Sequence, residues 1–204
     1  MPRGSAELTN ARREEIINAC KELYQTMSFK EITIKEIANY TSFTRPSIYN
    51  YFETKEEIFL AILQKEYELW VAELESITDN NETMSREQIA KALALSLENR
   101  ALLLKLMSMN HYDMEANSRM ERLVDFKKAY GASLVAVERL LNKFCRDVDS
   151  NAFIYNFFPF IYGIYPYAVV TEKQKEAMEQ AGIDYYYHTI YELAYPCALK
   201  LLKK

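Results

Sequence analysis

Arg45, Ser47, Tyr49 and Asn50 stand in the stretch TRPSIYNYF, and their types suit one task, reading the edge of a base pair. A guanidinium can donate two parallel hydrogen bonds to guanine O6 and N7, and a phenol ring can pack against a thymine methyl or a phosphate. Those groups act together only if one short helix presents them on one side. The intervening residues permit this, because Ile48 and Phe52 are four apart and make the opposite, inward side. Thr44 stands at the cap position and Pro46 in the first turn, where a missing N–H and a fixed φ cost nothing. Tyr51 and Lys55 follow at the entry to the next helix, well sited for phosphate oxygens. Arg12 and Lys35, upstream, are equally readable as phosphate or base contacts and as solvated surface charges.

The elements that must hold these groups are all helical. No period-2 alternation persists along the chain, while helix-start signals recur. Ile16, Ile17, Cys20, Leu23, Tyr24 and Met27 predict a helix over 9–27. Capping-box pairs Thr33/Glu36, Thr54/Glu57, Ser85/Gln88 and Ser118/Glu121 predict helices near 33–40, 54–78, 85–98 and 118–145. A further helix over 100–109 ends before the polar stretch 110–117. Then come an aromatic segment over 151–170, a short charged helix from Thr171 and a last helix over about 183–202. Between the 33–40 helix, inward through Ile34, Ile37 and Ala38, and an eight-residue helix from Thr44 lies the tight corner Thr41-Ser42-Phe43. Two short helices joined in this way make a helix-turn-helix, whose second helix enters the major groove.

Composition limits the alternatives. With 204 residues, 50% of them apolar, and only four Gly, the chain is long enough for a sizeable core and poor in turns. The net charge of −4 excludes a polyanion-binding surface over the whole molecule. Residues 1–55 nonetheless carry eight Lys or Arg against seven Glu, so a nucleic-acid contact belongs at that end. Cys20, Cys145 and Cys197 are far apart and, with His111 and His188, form no metal-binding set, so no metal or cofactor is expected. Reduced cysteines and an N-terminus without an apolar signal core point to the cytoplasm.

The run IANYTSFTRPSIYNYFETKEEIFLAIL resembles the DNA-binding motif of the TetR family of transcriptional repressors, through Ile37-Ala38, Thr44, Ile48-Tyr49, Tyr51-Phe52 and Lys55-Glu56-Glu57. Ile16, Ala19, Leu23, Phe29, Thr33 and Ile34 extend the likeness upstream, so that it covers about residues 12–63. It implies an N-terminal three-helix head over 1–54 and a helical effector-binding and dimerisation domain over 55–204, connected by the 54–78 helix. It also implies a homodimer on a palindromic operator, released by an apolar or aromatic effector. The dimer contact would be a four-helix bundle of the 151–168 and 183–202 helices. Two positions depart from the family pattern: Ser42 and Ser28 stand where glycine is usual. If either backbone needed a positive φ, each would cost roughly 1 kcal/mol.

Residues expected to line the effector site are Leu104, Met107, Phe126, Tyr130, Tyr155, Phe158 and Tyr162, with plain core as the competing reading. The segment AFIYNFFPFIYGIYPYAVV has the length of a membrane span, but its tyrosines are spread throughout and Pro159 and Pro166 interrupt it. A helical binding module that does not touch DNA, or one attached to a membrane through this segment, is the competing reading. His188 and Asp184 could sketch a hydrolytic site, yet no nucleophile elbow or oxyanion loop accompanies them, so no enzyme is expected.

Overall fold

A computed structural model describes residues 3–109 and 111–203, the first four of these by backbone alone; Met1, Pro2, Asn110 and Lys204 lie outside it. All regular structure among the described residues is helical. The helices are α1 (Arg3–Thr26), α2 (Ile34–Asn39), α3 (Arg45–Ile48), α4 (Lys55–Asn80), α5 (Arg86–Glu98) and α6 (Ala101–Met109), followed by α7 (His111–Ala116), α8 (Met120–Phe144), α9 (Ser150–Ala168), α10 (Glu172–Gln180) and α11 (Ile190–Leu202).

Several starts follow the capping chemistry read from the sequence. Ser85 and Gln88 form a reciprocal box at α5, and the Thr33 hydroxyl accepts the Glu36 N–H at α2. The Ser118/Glu121 pair does not open α8: the Ser118 hydroxyl donates to the Met114 carbonyl at 2.7 Å, and the helix begins at Met120. The last helix starts at Ile190 rather than near 183, because Thr189 and Glu192 close a capping box. That pair is legible in the sequence as T-x-x-E. The polar stretch after 109 holds a short helix, α7, in place of an open loop.

The two prolines expected to interrupt the aromatic segment do not. α9 is continuous from Ser150 to Ala168, and Pro159 and Pro166 sit on its exposed side. Each removes one N–H and frees one carbonyl, which water satisfies more readily there than inside a core. No single helix among the described residues is long and apolar enough to cross a membrane; α9 and α10 reach the threshold only together, across an 80° bend.

Tertiary contacts group the chain into two compact units. One takes in Met1–Lys65 with Asn110–Lys128, the other Glu66–Met109 with Ala129–Lys204. The resemblance implied a boundary after residue 54, and the polar stretch 78–83 offered another; the compact unit that contains α2 and α3 runs to Lys65 and also takes in α7 and the start of α8. In that unit Ile16, Cys20, Leu23, Ile32, Ile37, Ile48, Phe52 and Phe59 are all buried. Phe59 meets Tyr24 edge-on at 5.0 Å and Phe29 at 4.7 Å, which ties α4 to α1 and to the turn before α2. In the other unit α11 packs on α5 and α9, and α6 packs on α9. Trp70, fully buried, donates from Nε1 to the Ser96 hydroxyl at 3.0 Å and lies beside Phe158 at 5.8 Å.

Candidate nucleic-acid interface

The corner between α2 and α3 is held by side chains from α1. The Ser42 N–H and hydroxyl both donate to the Glu15 carboxylate, the hydroxyl at 3.2 Å. Thr41 closes the end of α2 by donating to the Ala38 carbonyl at 3.1 Å. No described residue other than glycine has a positive φ, so the serines at 42 and 28 carry no backbone strain. The expected penalty for replacing glycine is absent, and Ser42 adds a bond that glycine lacks. Ser28 is likewise engaged, its N–H donating to Glu31 at 2.8 Å.

α3 itself is four residues long. Beyond it the chain stays coiled: the N–H groups of Tyr51 and Phe52 both donate to the Ile48 carbonyl, at 2.9 and 3.1 Å. The expected eight-residue helix is therefore one α-turn followed by tighter turns. Thr44 occupies the cap position without a capping hydrogen bond; its hydroxyl is 3.1 Å from that of Ser47. Ile48 and Phe52 are fully buried, which turns Arg45, Pro46, Tyr49 and Asn50 outward. Tyr49 is 44% exposed, and Arg45 donates to its hydroxyl at 3.3 Å, one helical turn apart.

The flanking cations divide into two kinds. Arg12 is exposed, donates to the Tyr51 hydroxyl at 3.4 Å and lies 5.7 Å from the centre of the Phe43 ring, so α1 borders the recognition surface. Lys35 is exposed on α2. Lys55, expected at a phosphate, is half-buried: its ammonium donates to the carbonyls of Phe29 at 2.6 Å and Ile32 at 3.1 Å, over the Phe29 ring. Those bonds satisfy two carbonyls in the turn between α1 and α2. Tyr40, 61% exposed at the end of α2, was not singled out from the sequence; a lone tyrosine at a helix end carries no pattern that would have marked it.

This geometry accompanies matches to known proteins. Residues 16–62 match a family described as bacterial regulatory proteins, tetR family. Residues 64–190, more than half of the chain, match the tetracyclin repressor-like C-terminal domain. The chain belongs to the TetR family. A curated relative, the uncharacterized HTH-type transcriptional regulator YfiR of Bacillus subtilis, is 30% identical over 63 residues, a match spanning 31% of this chain and 31% of that protein. Among solved structures, the fatty acid degradation regulator FadR from Bacillus halodurans aligns with a TM-score of 0.61 at 15% identity, covering 94% of each chain. A putative TetR-family regulator from Mesorhizobium loti aligns with a TM-score of 0.62 at 14% identity, covering 95% of this chain and 96% of that one. A TetR/AcrR-family regulator from Thermobifida fusca gives 0.58 at 19% identity, covering 91% and 97%. At such identities the likeness establishes the fold alone.

The second unit of this TetR-family chain gathers part of the expected effector set. Tyr130 and Phe158 meet edge-on at 6.0 Å, and Tyr162 receives a hydrogen bond from the Tyr67 hydroxyl at 3.3 Å. Tyr67 also meets Tyr130 edge-on at 5.7 Å, so it and Trp70 join the cluster although neither was anticipated. Leu104 and Met107 are buried on α6. Tyr155 is 78% exposed on α9, and Phe126 is buried in the other unit beside His111. Between α9 and α11 runs an open groove of about 330 Å³ lined by Pro159, Phe160, Gly163, Ile164, Tyr167 and Leu193.

Proposed function

We propose that this TetR-family DNA-binding regulator is a non-enzymatic, effector-responsive repressor that acts in the cytoplasm as a homodimer on a palindromic operator. The observation that carries the reading is the outward side of the α3 turn, where Arg45, Tyr49 and Asn50 are exposed and Ser47 is half-buried, over a core sealed by Ile48 and Phe52. Arg45, with Thr44 and Pro46 at the helix start, reads a base edge, and Arg12, Lys35 and Tyr51 hold phosphates. Arg45→Ala is expected to weaken operator binding by roughly 1–3 kcal/mol and to relax preference at one position of each half-site. Lys55→Ala is expected instead to destabilise the fold, by about 1–3 kcal/mol, since it orphans two carbonyls. Fluorescence anisotropy on operator and scrambled duplexes, with thermal melts alongside, separates the two. Unchanged discrimination in Arg45→Ala would mean that the recognition surface lies elsewhere.

The groove between α9 and α11 supports the dimer. Its lining is apolar, and α9 exposes Tyr155 and Tyr167, at 78% and 61%, more aromatic surface than a monomer leaves wet. Two copies meeting on these helices would form a four-helix bundle. Light scattering at micromolar concentration is expected to return twice the chain mass; the mass of one chain would defeat the dimer.

For the effector, the cluster of Tyr67, Trp70, Tyr130, Phe158 and Tyr162 supplies aromatic faces with three phenol hydroxyls, and Leu104 and Met107 add apolar surface. An apolar or aromatic ligand lowers operator affinity only by the difference between its affinities for the two conformations of the dimer. Native mass spectrometry of the purified protein tests whether a small molecule is held.

A further inference from the structure

The exit from the recognition helix is clamped by a residue more than sixty positions away in sequence. Glu57, on the first turn of α4, is 1% exposed, and both of its carboxylate oxygens are engaged. The Arg119 Nε donates to Oε1 at 2.6 Å, its Nη2 to Oε2 at 2.8 Å, and its own backbone N–H to Oε1 at 3.1 Å. The Glu53 N–H donates to Oε2 at 2.9 Å. Two further links lie alongside. The Thr54 hydroxyl donates to the Asn117 carbonyl at 2.9 Å while it accepts the Glu57 N–H at 3.1 Å, and Arg119 reaches the Glu53 carboxylate at 3.3 Å.

Every backbone position that these bonds hold, from Glu53 to Glu57, directly follows the last coil of the recognition helix. Phe52, the residue before them, is fully buried, with the Arg13 guanidinium 5.3 Å from its ring centre. The segment 52–57 is therefore fixed on one side by α1 and on the other by the turn between α7 and α8. A planar guanidinium bonded through two nitrogens to a buried carboxylate sets orientation as well as distance, which an ammonium cannot do.

We propose that Arg119 is a positioning residue for DNA reading: through Glu57 it fixes the direction in which the recognition helix leaves the α3–α4 turn, without itself touching DNA. The proposal rests on the reading of this head as the DNA-binding one and assigns a role in operator recognition to a residue outside the helix-turn-helix. It also gives α7 and the start of α8 a purpose inside that head.

The test compares wild type with Arg119→Lys, which keeps a charge but loses the fork, and with the harsher Arg119→Met. The probe is a duplex selected from a random library by the wild-type protein, with a scrambled duplex as control, assayed well below each variant's melting temperature. Operator affinity is expected to fall about tenfold in Arg119→Met and to an intermediate degree in Arg119→Lys, with scrambled-duplex binding and the salt slope unchanged. Hydrogen exchange is expected to speed up more at 49–57 than at 16–24, where only the general loss of stability is felt. A salt slope lower by about one per subunit would make Arg119 a phosphate contact and overturn the proposal. Operator affinity equal to wild type in both folded variants would overturn it too, leaving the clamp as a strut. If wild type itself selects no duplex, the DNA-binding reading fails first, which the wild-type arm reveals without the variants.

Discussion

Trp70→Ala is expected to lower the unfolding free energy by about 3–5 kcal/mol. The indole is fully buried, and its ring lies between Phe158 at 5.8 Å and Tyr67 at 6.4 Å. Alanine in its place leaves a void that neighbours fixed on α4 and α9 fill only in part. Most of the loss is packing. The Ser96 hydroxyl that accepts from the indole also donates to the Leu93 carbonyl at 2.8 Å, so it keeps a partner. Trp70→Phe, which retains most of the ring but loses the N–H, should therefore cost only about 1–2 kcal/mol. Urea titrations at one fixed protein concentration measure both, since association moves apparent stability. Equal losses in the two variants would show that the hydrogen bond, and not the ring, dominates.

A second large effect belongs to the Glu57–Arg119 pair. Burial pushes the Glu57 carboxyl up, but the Arg119 hydrogen bonds and the backbone N–H groups of Glu53 and Arg119 outweigh it, and the net shift is below the ordinary value of 4.5. A carboxyl whose folded pKa is depressed contributes stability above its unfolded pKa and loses it as pH falls through the folded one. Arg119→Met should thus cost about 3 kcal/mol at pH 7, the low end of the range for a broken buried pair, because the Arg119 side chain is 31% exposed. The gap between variant and wild type should then narrow as pH falls from 4.5 through the depressed folded value, below which Glu57 takes up a proton in wild type too. Denaturant midpoints at pH 7, 5 and 3.5 test this. A gap that stayed constant across that range would show that the side chain acts by packing and not by charge.

Much of the molecule was legible beforehand because local chemistry governs it. A threonine or serine three residues before an acid or amide stabilises a helix start wherever the chain goes, and so α2, α4 and α5 begin where such pairs stand. The same rule places the start of α11 at Ile190, through Thr189 and Glu192. The apolar spacing of Ile34, Ile37, Ile48 and Phe52 is similarly local, and with it came the outward side of α3.

What the amino-acid order determined by itself is most of the helices, though not α7, together with the helix-turn-helix and the types of group that α3 presents, since capping, periodicity and a proline in a first turn act over four or five residues. Tertiary structure decided which charges are available. Lys55 and Arg45 are both cations beside the recognition helix. One is drawn inward by two carbonyls of the turn after α1, and the other is left at the surface against Tyr49. It also decided that Glu57 meets Arg119, that Ser42 is tied to Glu15, and that α7 joins the DNA-binding unit. Each of these pairs residues far apart along the chain, and a sequence records neither member's distance from the other; only the packing of helices brings buried polar groups within reach of the partners that burial obliges them to have.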